Sequence, residues 1–154
     1  METIVSDSLG KTERIAAYWV KKIARARADL KERAKIAGLT GHLGSGKTAF
    51  VKAVGKALNI REMITSPTFV LMKNYEIQRA PDDIPFAKLI HIDAYRLENR
   101  EELDALGFEE LAAESRNLIM VEWPENVGLR ETEFSWRCNL KFEIKDKIHS
   151  IAIS

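Results

Sequence analysis

One stretch constrains this chain more than any other. Gly41-His42-Leu43-Gly44-Ser45-Gly46-Lys47-Thr48 fits the phosphate-binding pattern G-x-x-x-x-G-K-[ST]. The run Ala34-Lys35-Ile36-Ala37-Gly38-Leu39-Thr40 before it predicts a short buried strand. After it, Val51, Val54 and Leu58 fall at i, i+3 and i+7, the apolar stripe of a helix. The loop is therefore a strand-to-helix turn. Its glycines at 41, 44 and 46 let backbone N–H groups point inward, and a helix starting near Lys47 adds the positive end of its dipole. Such a nest takes phosphate oxygens from Gly41 through Ala49, with Lys47 on the β- and γ-phosphates and the Thr48 hydroxyl on a bridging Mg²⁺. A nucleoside triphosphate is the implied ligand.

Composition narrows the remaining classes. A chain of 154 residues predicts a single domain, 1–154, large enough to bury a core without a staple. With 45% hydrophobic and 31% charged residues and a net charge of +1, it predicts neither disorder nor a globally basic nucleic-acid binder, and no DNA partner. The single cysteine, Cys138, excludes an internal disulfide and suits a reducing cytosol. Glu2 and Asp7 precede any long apolar run, and no stretch approaches membrane-spanning length, so the expectation is a soluble, cytoplasmic protein with no membrane partner.

Along the chain, Thr3-Ile4-Val5 predicts a strand, and Ser6, Asp7 or Ser8 can cap a helix whose inner side is Ile15, Trp19 and Ile23, ending before Ala34. Lys21, Lys22, Arg25, Arg27, Lys31, Arg33 and Lys35 make this region basic; a solvated helix face accounts for them more simply than an RNA-binding stripe. Thr65-Ser66-Pro67-Thr68 reads as a loop with crowded hydroxyls. Phe69-Val70-Leu71-Met72 predicts the start of one strand and Phe86 to Ile92 a second, joined through Pro81-Asp82-Asp83-Ile84-Pro85. Asn99 with Glu102 predicts a capped short helix that Gly107 ends, and Phe108 to Ala113 a further turn. Leu118 to Val121 reads as a central strand. Strict alternation from Phe134 through Trp136, Cys138, Leu140, Phe142 and Ile144, repeated by Ile151 and Ile153, predicts two antiparallel strands closing one side of the sheet.

A cation between phosphates needs carboxylates at strand ends facing the loop. Asp93 follows one apolar strand and Glu122 another, and either can serve as the Walker-B-type acid. Trp123-Pro124 reads as a core edge or rigid turn, or as a surface that reports nucleotide state to a partner. His42, His91 and His149 share no metal-ligand spacing and read as non-ligands.

Taken together, GHLGSGKT at 41–48, SPTF at 66–69, HIDAYRL at 91–97 and VEWPE at 121–125 resemble the TsaE (YjeE) family. The resemblance spans about Ala34 to Glu125 and implies an α/β, P-loop NTPase-like three-layer fold with a mixed central sheet. It also implies slow ATP hydrolysis, with ATP and Mg²⁺ as cofactors, in tRNA threonylcarbamoyladenosine biosynthesis. The implied partners are TsaD-type and TsaB-type proteins, with tRNA reached through that complex. Matched by motif, Lys47 and Thr48 hold phosphate and metal, Glu122 is the metal-site acid, Asp93 a metal-shell or water-positioning acid, and Thr68 a γ-phosphate sensor. His42 departs from the Asp usual in the family, which leaves the backbone nest unaffected. A small-molecule or nucleoside kinase, or a nucleotide-gated switch without turnover, are the competing classes. No N/T-K-x-D tetrad for reading guanine is present.

Overall fold

A computed structural model describes residues 2–25, 33–81, 84–129, 138–145 and 148–153. The strands are β1 (Glu2–Ser6), β2 (Lys35–Gly41), β3 (Met72–Glu76), β4 (Lys88–Asp93), β5 (Asn117–Glu122), β6 (Cys138–Lys145) and β7 (Ile148–Ile153). The helices are α1 (Leu9–Arg25), α2 (Lys47–Ala57), α3 (Arg100–Asp104) and α4 (Phe108–Ala113). Among the described residues the strands form a seven-stranded sheet in the order β1-β7-β6-β2-β5-β4-β3. β2 runs parallel to both β5 and β6, and β4 parallel to β5, while β3, β7 and β1 join antiparallel. The sheet is mixed, with a parallel centre.

Helices on both faces explain why the central strands read as continuous apolar runs. Every residue of β5 is buried. On one face Leu39, Leu89, Leu118 and Met120 pack with Trp19, Ile23, Phe50 and Val54 of α1 and α2. Trp19 and Phe50 are fully buried and meet edge to face, ring centroids 5.7 Å apart. A pair of that kind adds about 0.5–1.5 kcal/mol to what its burial contributes. On the other face Ile36, Ile90, Ile92, Ile119 and Val121 pack with Leu103, Phe108 and Ala112 from α3 and α4. The result is three layers.

Several sequence expectations change in detail. The strand expected to begin at Phe69 begins at Met72. Pro67 to Val70 instead form a turn closed by Val70 N–H on the Pro67 carbonyl at 2.9 Å, and Leu71 takes φ 65°. Phe69 is 89% exposed, so an apolar residue that reads as core stands at the surface. The C-terminal strands do form an antiparallel hairpin, but β6 pairs with β2 and β7 with β1, which makes them interior strands and leaves β1 at the edge. Phe134 and Trp136 lie outside the described residues. So do Arg27 and Lys31 of the basic segment; of its other members Lys21, Lys22 and Arg25 lie on α1 outside its buried face, Arg33 pairs with Glu109 at 2.8 Å, and Lys35 is buried as the first residue of β2. Burial pushes the Lys35 ammonium pKa down. The Arg33 guanidinium, hydrogen-bonded to Glu109, holds that carboxyl below its usual range.

The short helix is capped as expected, with Asn99 Oδ1 accepting from Glu102 N–H at 3.0 Å. Glu102 returns its carboxylate to Glu98 N–H, one residue before the cap. Gly55 in α2 has a different task. A Cβ there would lie 2.0 Å from Ile64 Cδ1, so the bare backbone is what lets Ile64 seat against the helix.

Candidate nucleotide site

β2 ends at Gly41 and α2 begins at Lys47, so the intervening loop sits at the carboxyl end of a parallel strand, where open α/β sheets bind ligands. Gly46 caps the helix at φ 108°, a conformation that L side chains rarely adopt, and so frees the first-turn N–H groups to point into the loop. Lys47 is buried. Its Nζ donates to the carbonyls of Gly41 at 2.7 Å and His42 at 2.9 Å. Gly41 and His42 thus meet the lysine through their carbonyls, whereas Leu43 through Ala49 line an open cavity of about 310 Å³. Burial lowers the Lys47 pKa, and the carboxylates of Glu122, Asp93 and Glu125 pull it back up.

The two acids arrive on neighbouring strands. β4 and β5 pair so that Asp93 lies beside Glu122, and His91, two residues before Asp93, shares its face of the sheet. That face carries α2, so all three side chains turn toward the phosphate loop. Thr48 donates to Glu122 Oε1 at 2.8 Å, and His91 Nε2 lies 2.8 Å from the same oxygen. Because Thr48 gives its proton to Glu122, the hydroxyl oxygen keeps its lone pairs for a cation. Asp93 is held differently. Thr68 donates to its Oδ2 at 2.6 Å, Tyr95 N–H donates to Oδ1 at 3.0 Å, and Asp93 N–H reaches the Leu71 carbonyl at 2.9 Å. With the Thr68 proton engaged, Ser66 is the donor in its 2.6 Å contact with Thr68.

Trp123 completes the wall. It follows β5 in the left-handed region, φ 59° and ψ 48°, which costs a non-glycine residue about 1–2 kcal/mol. Its N–H on the Leu39 carbonyl at 3.1 Å and the turn from Pro124 to Val127 hold it there. The ring lies 4.1 Å from Lys47 Nζ and 5.4 Å from Tyr95. Trp123 is thus a rigid turn whose side chain belongs to the cavity. Asn126 fastens the turn to the segment after Asp93 by donating to the Ala94 carbonyl at 3.1 Å.

The cavity gathers Lys47, Thr48, Thr68, Asp93 and Glu122. It also includes Trp123, read from the sequence as a core edge, rigid turn or partner-reporting surface, and Tyr95, to which the sequence assigns no definite role, and adds His91 behind Glu122. The signal for His91 was its i, i+2 relation to Asp93 on a strand; its contact with Glu122 needed the strand register. A hydroxyl and two carboxylates are hard oxygen donors suited to Mg²⁺. Among the described residues no three His, Cys, Asp or Glu side chains form a metal cage, so any cation here takes most of its ligands from phosphate and water.

Comparisons with known proteins agree on one family. The family profile described as "Threonylcarbamoyl adenosine biosynthesis protein TsaE" matches residues 11–150. The tRNA threonylcarbamoyladenosine biosynthesis protein TsaE of Aquifex aeolicus is 36% identical over 106 residues, 68% of each chain. Its namesake in Streptomyces coelicolor is 31% identical over 128 residues, 82% of each. The crystal structure of YdiB from Bacillus subtilis superposes with a TM-score of 0.62 over 99% of this chain and 86% of that one, at 22% identity, a likeness of P-loop NTPase-like fold. With its profile, its relatives and its fold in agreement, the chain belongs to the TsaE family.

Proposed function

We propose that residues 1–154 form a single Mg²⁺-dependent ATPase domain that acts in threonylcarbamoyladenosine modification of tRNA, in the cytoplasm, with TsaD-type and TsaB-type partners. Family membership supports the pathway. Among the described residues no helix is long and apolar enough to cross a membrane. The observation that carries the chemistry is the convergence of Lys47, Thr48, Asp93 and Glu122 on one cavity at the carboxyl ends of β2, β4 and β5.

Each side chain has a task. The loop N–H groups and the start of α2 bind phosphate oxygens, and Lys47, already steered by the Gly41 and His42 carbonyls, adds a fixed cation at the terminal phosphates. Thr48 and Glu122, with Asp93 beside them, would hold Mg²⁺, which when bound would supply positive charge against the negative charge of the phosphates. Asp93 holds Thr68 at the cavity rim and accepts a proton or orients a water when the Ser66 to Phe69 loop lies over the nucleotide. Among the described residues no glutamine lines the cavity to orient that water, and slow turnover in isolation is expected.

The test is phosphate release with the TsaD-type and TsaB-type proteins present or absent. Stimulation by roughly 10²-fold or more is expected, since completing a P-loop site with an arginine finger adds about 10³–10⁵. Unchanged release, or stoichiometric phosphoryl transfer to a small-molecule acceptor, would sink the reading.

A further inference from the structure

Glu122 carries two hydrogen bonds, and both fall on one oxygen. Thr48 Oγ1 and His91 Nε2 each lie 2.8 Å from Oε1. An oxygen that accepts from the threonine hydroxyl and faces a ring nitrogen at that distance is a carboxylate acceptor, which makes His91 Nε2–H the donor. Oε2 takes part in neither of these contacts. His91 itself is fully buried and its Nδ1 has no partner among the described residues. The imidazole therefore makes one polar contact, on the acid that faces the cavity.

Burying a ring nitrogen without a partner carries a desolvation cost that an apolar residue in the same place would avoid. The strand around it is apolar: Leu89, Ile90 and Ile92 are fully buried with it. A histidine here works against packing and in favour of one geometry. Groups behind a metal-binding carboxylate fix its orientation, and removing them typically costs 10–100-fold in metal affinity.

We infer that His91 is a positioning residue: its Nε2–H clamps Oε1 of Glu122, aligns that carboxylate with the Thr48 hydroxyl and leaves Oε2 turned to the cation. The inference rests on Glu122 being the metal-site acid, so its test must separate the two. The full-length protein is titrated with ATPγS at increasing Mg²⁺, and again in EDTA, by calorimetry. His91→Leu removes the donor and spares the packing; it should raise the Mg²⁺ needed for half-maximal binding by about 10-fold or more, with affinity in EDTA changed less than about 2-fold. His91→Gln, whose amide can present N–H near the place of Nε2, should recover most of the loss. His91→Asn, whose amide is too short, should not, and serves where the leucine variant fails to fold.

An unchanged Mg²⁺ requirement in folded His91→Leu or His91→Asn would overturn the inference. So would equal losses with and without Mg²⁺, which mark a packing role. Glu122→Gln in the same titration isolates the premise: if it too leaves the Mg²⁺ requirement unchanged, the assignment of Glu122 fails. If it shifts the requirement and the histidine variants do not, only the positioning role fails.

Discussion

The ends of β4 and β5 lie side by side in register, each closing on a buried acid, yet they are tied to different parts of the molecule. Glu122 is held by rigid structure: the first turn of α2 through Thr48 and the interior of β4 through His91. Asp93 is held by loops: Thr68 of the Ser66–Phe69 segment, the Leu71 carbonyl and the turn at Tyr95. A carboxylate fixed by a helix and a strand suits a task that does not change during turnover, such as holding a cation. One fixed by a loop suits a step that depends on where the loop lies.

That division orders the expected effects. Asp93→Ala should cut partner-stimulated hydrolysis by roughly 10²–10⁴, the usual worth of a positioned acid or base, while ATP-dependent complex formation is largely retained. Single-turnover phosphate release beside a pull-down measures both; normal hydrolysis would leave Glu122 to carry the acid chemistry alone. Lys47→Ala should erase the contrast by weakening ATP binding by about 10²–10³, whatever the metal concentration, because the terminal phosphates lose their fixed cation. Equal affinity in a folded variant would refute the phosphate site itself. Glu122→Ala should raise the Mg²⁺ requirement by about 10–100-fold and leave nucleotide binding in EDTA nearly intact. If it behaves as Asp93→Ala does, the two strand ends are not specialised. The smallest effect expected is from Thr68→Val, about tenfold in stimulated hydrolysis, matching the ~1.5 kcal/mol of a hydrogen bond to a charged group. An unaltered rate would disconnect the loop from Asp93.

How far the sequence could be read depends on the kind of order each part has. β2, α2, β4 and β5 were legible because their periods are strong and their burial is two-sided: Leu118 to Val121 admits little besides a central strand. The phosphate-loop motif and both acids stand out as candidates in the sequence because phosphate and cation binding would need particular residue types at strand ends, and the structure brings them to one cavity. Phe69 and Val70 mislead because hydropathy cannot tell a core side chain from one standing at the surface. The places of β6 and β7 within the sheet were hidden, since alternation predicts pairing but not which neighbour is chosen. His91 reads as a non-ligand in the sequence, and its contact with Glu122, 31 positions away in the chain, emerges only when the strands pair.

Gly55 bears on all of this from a distance. Because Gly55 has no side chain, Ile64 is pinned to the same helix that follows the phosphate-loop motif, and Leu71 is pinned to the backbone of Asp93. Thr65 to Val70 are thus a short tether with both ends nailed down. At 3.3–3.6 Å per residue its crest can stray only about 10 Å from its moorings. Thr68, which lines the cavity, cannot be carried far from it, and the exposed Phe69 beside it moves with the same short segment. Any protein that leaned on Phe69 would therefore press, through a leash a few residues long, on the carboxylate at the end of β4.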